Sequence, residues 1–234
     1  MSSEIYIDGV VVTTEEGKLL VDVAAEAGIY VPTLCYLDGK PPLGTCRACS
    51  VRVDGRVVPA CTVKVTHGMR VEVNDTETTE MRKALVEMLF SEGTHNCPSC
   101  EKSGRCTLQA VGYEVGMLVS RFPYQFPERE PDHASDKIWL ERDRCIFCQR
   151  CVEFVRDRTT GKKIFSISGR GKDARIEIDA ELANLMSPEQ VREAVDICPV
   201  GTILEKRQGY DQPIGRRLYD IESVRDRVLE RHAK

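Results

Sequence analysis

The sequence predicts an α+β protein composed of several small units, and three observations lead to this fold class. Two Asp-Gly pairs, Asp8-Gly9 and Asp54-Gly55, each lie between short apolar segments, which is typical of tight β-hairpins. Apolar residues at helical spacing occur between and after these hairpins. The 11 cysteines fall into three groups along the 234 residues, and we expect each group to belong to its own unit.

Composition and charge exclude several classes of function. Hydrophobic residues make up 41% of the chain and charged residues 30%, as in ordinary globular proteins. The net charge of −4 excludes electrostatic binding of nucleic acid or an anionic membrane as the main activity. No apolar run reaches the roughly 18 residues of a membrane span, and the first residues lack the features of a signal peptide. An odd cysteine count argues against a disulfide framework, so we expect a cytoplasmic protein.

Residues 1–75 are predicted to form the first domain. Strands flank both Asp-Gly turns, and a helix over residues 19–27 ends at Gly28. Val71 and Val73 alternate with charged residues, which indicates a closing strand. A sheet of short strands with one packed helix resembles the β-grasp domain of plant-type ferredoxins.

The rest of the chain is predicted to contain four segments. Residues 76–120 form a helical domain, in which a helix over 76–93 starts at Thr76, ends at Gly93 and is followed by a helix over 108–115. The apolar face of the first helix consists of Met81, Leu85, Met88 and Leu89. Residues 121–137, rich in proline and charge, form a linker. Residues 138–205 form a third domain with strands at 138–140, 164–167 and 175–178 and helices at 152–158 and 188–196. Residues 206–234 form a C-terminal arm with a helix over 221–232.

The first cysteine group is predicted to bind a [2Fe–2S] cluster. Its members are Cys35, Cys46, Cys49 and Cys61. A central C-x-x-C pair between two distant cysteines is the general plan of [2Fe–2S] loops, although the first gap of 10 residues departs from the plant-type C-x4-C. Gly44 allows backbone N–H groups to approach the sulfurs. Structural zinc is the alternative, but zinc fingers usually pair two C-x2–4-C knuckles and this group has one.

The second group, Cys97, Cys100 and Cys106, is one donor short of a cluster site. His95 lies two residues before Cys97, and no spare cysteine exists, so we predict a [4Fe–4S] cluster held by His95 and these three cysteines. A neutral imidazole makes the site less negative than four thiolates do, which raises its reduction potential. His67, His133 and His232 are interpreted as ordinary surface or core residues.

The third group has the most specific spacing. Cys145, Cys148 and Cys151 form the C-x2-C-x2-C opening of a bacterial [4Fe–4S] motif, and Cys198-Pro199 matches the end of a second such motif. The other ligand positions are replaced by non-ligands: Val155, Pro188, Val191 and Ala194. We therefore predict a single [4Fe–4S] cluster held by Cys145, Cys148, Cys151 and Cys198 in a ferredoxin-like domain.

Four arginines lie beside predicted ligands, and no motif for catalysis or nucleotide binding accompanies them. Arg47, Arg105, Arg144 and Arg150 lie next to predicted ligands. They either moderate the potential of the clusters or lie on the solvated surface. The sequence contains no Rossmann glycine motif, no P-loop and no nucleophile–base pair, so no catalytic residue is assigned.

The order of the three motifs resembles that of a known family. It is similar to the N-terminal iron–sulfur region of the complex I large subunit and to the diaphorase gamma subunit of cytosolic NAD-reducing [NiFe] hydrogenases, over residues 4–205. Complex I relatives usually have His-x3-Cys, which would place histidine at position 93. The shorter His95-Asn96-Cys97 spacing is typical of the hydrogenase branch and makes His95 the ligand that the resemblance implies.

The resemblance implies an electron-transfer subunit of a hydrogen:NAD⁺ oxidoreductase, without a complete active site of its own. In that family, electrons from a [NiFe] centre pass along iron–sulfur clusters to FMN on a partner that reduces NAD⁺. The implied partners are a flavin/NAD-binding diaphorase large subunit and the small and large [NiFe] hydrogenase subunits. Two alternatives remain: the same relay in a formate dehydrogenase, [FeFe] hydrogenase or complex I-like assembly, and a zinc-stapled interaction module.

Overall fold

The computed structural model describes residues 2–233, which divide into two compact units. The first unit contains residues 2–88, 110–121 and 222–233, and the second contains residues 89–109 and 122–221. Met1 and Lys234, the outermost residues of the predicted first domain and C-terminal arm, lie outside the described residues.

The first unit contains a five-stranded sheet. Its strands are β1 (Ser2–Ile7), β2 (Val10–Glu15), β3 (Ser50–Val53), β4 (Arg56–Pro59) and β5 (Arg70–Glu72), in the order β2-β1-β5-β3-β4. Both predicted hairpins are confirmed, and Asp8 and Gly9 have the positive φ angles of 49° and 83° that a tight turn between twisted strands requires. The strand predicted to close the sheet, β5, lies at its centre, parallel to β1 and antiparallel to β3.

The core of the first unit lies between this sheet and α1 (Leu20–Glu26). Ile5, Ile7 and Val51 of the sheet and Val23 of the helix have no exposed surface. The helix ends where predicted, because Gly28 takes a φ of +76° and allows the N–H of Ile29 to bond the carbonyl of Ala24. Cys49 and Cys61 belong to the same core, so this packing also fixes the position of two predicted ligands.

Helix α2 (Thr76–Ser91) buries a different face from the predicted one. Met81 and Met88 are each 41% exposed, whereas Thr78, Arg82 and Glu87 are at most 5% exposed. The buried polar groups are satisfied by long-range partners: Arg82 donates to the carbonyl of Val73, and the carboxylate of Glu87 accepts a 2.6 Å hydrogen bond from Arg121 Nε. The helix is also capped by Asp75 rather than by Thr76, since the Asp75 side chain accepts from the N–H groups of Glu77 and Thr78.

The second unit contains two small antiparallel sheets and short helices. One sheet pairs β6 (Ile138–Leu140) with β9 (Ile203–Glu205), and the other pairs β7 (Phe165–Ser168) with β8 (Arg175–Ile178). The helices are α4 (Arg150–Phe154), α5 (Ala180–Leu185), α6 (Pro188–Ile197) and α7 (Leu218–Ile221), while α3 (Thr107–Glu114) precedes them in the chain. The helix predicted at 152–158 starts earlier and ends at Phe154, because Val155 is extended. Strand β9 and helices α5 and α7 were not predicted.

Residues 121–137, which the sequence predicts to be a linker, form no helix or named strand, and Asp132 makes an isolated antiparallel bridge to Leu140. The C-terminal segment contributes to both units. The N–H of Tyr219 donates to the carbonyl of Gly104 in the second unit, and α8 (Val224–His232), capped by Ser223, forms an Arg225–Glu114 ion pair of 2.9 Å in the first. The predicted helix over 221–232 therefore starts three residues later.

Candidate metal centres

The first cysteine group converges in the first unit. Cys35, Cys49 and Cys61 are buried and Cys46 is partly exposed. The thiols of Cys46 and Cys61 donate hydrogen bonds to Cys35, and those bonds hold the pKa of Cys35 far below its usual range. The thiol of Cys61 also donates a hydrogen bond to the Cys49 sulfur, which lowers the pKa of Cys49. Four thiols that share protons at hydrogen-bonding distance form a site in which metal ions can replace those protons.

The loop that carries Cys46 and Cys49 depends on two left-handed residues. Gly44 has a φ of +65° and Arg47 a φ of +59°. A Cβ atom on Gly44 would lie only 2.9 Å from the Thr62 methyl carbon, so this position accepts no side chain without movement next to Cys61. The sequence-based expectation that Gly44 permits a tight approach is consistent with this geometry.

The second group converges around a cavity in the second unit. His95, Cys97, Cys100 and Cys106 line this cavity together with Phe90 and Gly201. The backbone N–H of Gln109 donates to the Cys106 sulfur at 3.4 Å. N–H donors directed at sulfur are one of the means by which a protein tunes an iron–sulfur cluster.

His95 has the properties of a neutral ligand. Its Nε2 atom is buried, and the residues that the structure describes offer it no hydrogen-bond partner. The ring also forms a hydrogen bond with the backbone of Leu89. Because Nε2 has no partner among the described residues, the nitrogen in this hydrogen bond is Nδ1, and the bond fixes the direction of Nε2. Burial, with a further contribution from Arg144, lowers the pKa of His95 to about 4, so the imidazole is uncharged at neutral pH. An unpartnered buried nitrogen beside three thiols fits a metal ligand.

The third group lines a similar cavity in the same unit. Cys145, Cys148, Cys151 and Cys198 line this cavity, and the remaining wall is mostly aliphatic. Phe147 and Gln149 take positive φ angles, so the C-x2-C-x2-C segment winds around the cavity, and the N–H of Phe147 donates to the Cys145 sulfur at 3.4 Å. Burial raises the pKa of Cys145 to about 12. Burial likewise raises the pKa values of Cys148 and Cys151, so these three thiols stay protonated without metal and would lose their protons on binding it.

Three of the four replaced ligand positions are buried. Val191 and Ala194 lie on the buried side of α6, and Val155 is also buried. Pro188, the first residue of α6, is exposed. None of the four lines the remaining site.

All 11 cysteines are free, and together with His95 they account for all three sites. Soft thiolates and imidazole are the donors that iron–sulfur clusters use. The donor set and the buried, unpartnered His95 nitrogen therefore fit iron–sulfur clusters. The other histidines lie elsewhere: His67 accepts from the Glu4 N–H, His133 stacks near Trp139, and His232 lies 3.7 Å from Asp22.

The charged residues near the ligands differ from one another. Arg105 forms a 2.5 Å ion pair with Asp211, and Arg144 forms one of 3.1 Å with Glu101. Lys102, which the sequence analysis did not single out, is only 3% exposed. The one feature of the sequence that could have indicated Lys102 is its position two residues after Cys100. A lysine beside a ligand is ordinarily a surface residue, so this feature does not predict burial.

Three family matches cover most of the chain. Residues 2–76 match the 2Fe-2S iron-sulfur cluster binding domain, residues 82–121 the NADH-ubiquinone oxidoreductase-G iron-sulfur binding region, and residues 135–204 the ferredoxin-like domain of NADH-quinone oxidoreductase subunit 3. These matches confirm the predicted fold class and the presence of both 2Fe–2S and 4Fe–4S binding domains.

Among curated proteins, the chain is 74% identical to the NAD-reducing hydrogenase HoxS subunit gamma of Cupriavidus necator, with 98% of each chain covered. It is 30% identical to the mitochondrial NADH-ubiquinone oxidoreductase 78 kDa subunit of Candida albicans and 31% identical to the NADPH-Fe(3+) oxidoreductase subunit alpha of Geobacter sulfurreducens. The alignments cover 87% and 86% of this chain but only 28% and 24% of those relatives.

A solved structure has the same fold over its whole length. It is a chain from the crystal structure of an NAD⁺-reducing [NiFe]-hydrogenase in the H₂-reduced state, with a TM-score of 0.88, 33% identity and complete coverage of both chains. Within residues 2–233, no helix has the length and apolar character needed to cross a bilayer.

Proposed function

Because this chain belongs to the family of NAD-reducing hydrogenase gamma subunits, we propose that it is the electron-transfer subunit of such a hydrogenase. It relays electrons between a [NiFe] hydrogenase module and a flavin module that reduces NAD⁺. The observation that carries this proposal is the gathering of 11 cysteines and His95 into three donor groups that leave no cysteine over.

The proposed ligand sets follow the three groups. One [2Fe–2S] cluster is bound by Cys35, Cys46, Cys49 and Cys61; one [4Fe–4S] cluster by His95, Cys97, Cys100 and Cys106; and a second [4Fe–4S] cluster by Cys145, Cys148, Cys151 and Cys198. When bound, the clusters supply one-electron redox chemistry.

The chain itself supplies rigid positioning and the exclusion of water. Cys35, Cys49 and Cys61 are each at most 1% exposed, and the aliphatic wall around Cys198 keeps water away from the third site. Bonds from backbone N–H groups to sulfur hold Cys106 and Cys145 in place. We assign no catalytic residue to this chain.

The substrates and remaining cofactors belong to proposed partners. FMN and NAD are placed on the diaphorase large subunit, and the NiFe centre on the hydrogenase small and large subunits, in line with the hydrogenase relatives. The full set of free thiols suits the reducing cytoplasm, where we place the complex. The alternative is the same relay in a complex I-like or NADPH-dependent assembly. This alternative is based on the similarity to the 78 kDa subunit of NADH-ubiquinone oxidoreductase, at 30% identity, and to the alpha subunit of NADPH-Fe(3+) oxidoreductase, at 31% identity.

The test is anaerobic purification of the full chain from its native host, followed by metal analysis and identification of the copurified subunits. The proposal expects about ten iron atoms per chain and a partner with the cysteine pairs of a [NiFe] enzyme. About three zinc atoms with no iron would overturn it in favour of a zinc-stapled module. A partner without nickel would point to the alternative relay.

A further inference from the structure

Lys102 is a buried cation in the second unit. Its side chain is 3% exposed, and a lysine is almost never fully buried unless it is paired. Its Nζ atom donates to the carbonyl of Val195 at 2.7 Å. The Asp196 carboxylate lies 3.8 Å away, and its side chain is 67% exposed. This loose, solvated ion pair offsets little of the cost of burying an ammonium group.

The position of Lys102 is where the two proposed cubane sites approach each other. The carbonyl of Pro199, which directly follows Cys198, lies 3.6 Å from the Cys106 sulfur and accepts a 2.8 Å hydrogen bond from the Thr107 N–H. One residue, Pro199, therefore separates a ligand of the third site from a ligand of the second.

Gly201 brings Lys102 into the same contact region. A Cβ atom on Gly201 would lie 2.7 Å from the Cys100 sulfur and 3.3 Å from the Lys102 Cβ atom. Lys102 thus lies beside Cys100 of the second site, and its ammonium group bonds the carbonyl of Val195, three residues before Cys198 of the third site.

Arg105 is placed differently from Lys102. Arg105 adjoins the ligand Cys106 but is 31% exposed at its side chain and paired with Asp211 at 2.5 Å. Its field at the clusters is therefore screened by water and offset by a close carboxylate. The charge of Lys102 is neither exposed to water nor closely offset.

We propose that the Lys102 ammonium group acts electrostatically on both [4Fe–4S] sites and raises the reduction potential of each. Reduction adds negative charge to a site, so a fixed buried cation favours the reduced form of each. This inference rests on the two cubanes of the proposed function. Its consequence is that both potentials move in the same direction.

The test is a redox titration of the purified full chain, followed by electron paramagnetic resonance, for four proteins: the wild type, Lys102→Gln, Lys102→Arg and Arg105→Gln. We expect Lys102→Gln to lower the equilibrium constant for reduction of each cubane about tenfold, which is about 59 mV for a one-electron couple. Lys102→Arg keeps the charge and should stay within about threefold of the wild type, as should the control Arg105→Gln. The [2Fe–2S] potential serves as the internal reference.

An unchanged potential for either cubane in Lys102→Gln, at full iron content, would overturn the inference and leave the proposed function intact. A wild-type chain without cubane signals would instead refute the proposed function. If Lys102→Gln loses iron, Lys102→Met is titrated in its place. If both neutral variants lose the cubanes but Lys102→Arg keeps them, the sites require a positive charge at position 102. If Lys102→Arg loses the cubanes too, the sites require the shape of the lysine side chain rather than its charge, and the inference is overturned.

Discussion

The His95 ring occupies the space that a side chain at position 93 would need, because a Cβ atom added to Gly93 would lie 2.4 Å from the Nε2 atom of His95. The same added atom would lie 3.0 Å from the carbonyl oxygen of Asp143, so the backbone on the opposite side leaves no room for it. The identity of residue 93 therefore decides whether the imidazole of residue 95 can lie beside the three thiols.

This relationship predicts the effect of Gly93→Ala. The new methyl group should push the His95 ring out of the cavity, and the chain should lose the second cubane, about four iron atoms, while the other clusters remain. Metal analysis and spectroscopy of the purified chain measure this loss. Gly209→Ala is the matched control, since an added Cβ at Gly209 meets no atom within 4 Å. Normal iron content in Gly93→Ala would contradict the geometry.

A second prediction concerns the chemistry of the His95 donor. In His95→Cys a thiolate replaces a neutral imidazole, which adds about one negative charge and should lower the potential of that cluster by about 59 mV or more, with the cluster retained. A redox titration gives the value. His67→Cys introduces the same side chain at an exposed site away from the cavities and should change no potential. If His95→Cys leaves the potential unaltered, His95 is not a ligand.

The sequence predicts three donor groups because cluster ligands follow spacing rules that the chain displays directly, and the structure brings the members of each group together. His95 was found by counting donors, and its buried, unpartnered nitrogen is consistent with that expectation. Features that depend on distant partners were missed. The apolar pattern of α2 predicted burial of Met81 and Met88, but Arg82 is buried instead because it bonds the carbonyl of Val73.

Lys102 shows the same limit. Its hydrogen-bond acceptor, the carbonyl of Val195, is 93 residues away along the chain. Local spacing contains no information on that contact, so a buried lysine looks the same as a surface one in the sequence. Residues 206–233 were difficult for a related reason, since their interactions with Gly104 and Glu114 are also long-range.

A third prediction tests the grouping of Cys198 with the distant cysteines. Cys198→Ala removes one donor from the cavity that Cys145, Cys148 and Cys151 line. The chain should lose about four iron atoms and one cubane signal, and the [2Fe–2S] signal should persist as the internal reference. Metal analysis combined with low-temperature spectroscopy gives both values. Loss of the [2Fe–2S] signal alone would show that the cysteines are grouped incorrectly.

The last prediction concerns the helix that leads into Cys198. Helix α6 starts with a capping box, in which the Ser187 hydroxyl accepts from the Gln190 N–H at 3.2 Å and the Gln190 side chain accepts from the Ser187 N–H. The same helix presents the Val195 carbonyl to Lys102 and ends at Ile197, directly before Cys198. Ser187→Ala should therefore destabilise α6 by about 1 kcal/mol and increase its local opening about fivefold.

Opening of α6 exposes the third site, so an iron chelator should bleach that cubane faster in Ser187→Ala than in the wild type, by about the same factor. Ser223→Ala is the matched control, because Ser223 caps α8 in the first unit through the N–H of Asp226, and its loss should leave the chelation rate of this cubane unchanged. Equal rates in Ser187→Ala and the wild type would mean that the cubane is released without opening of α6. In that case the third site is held by the C-x2-C-x2-C loop, and Cys198 contributes little to its retention.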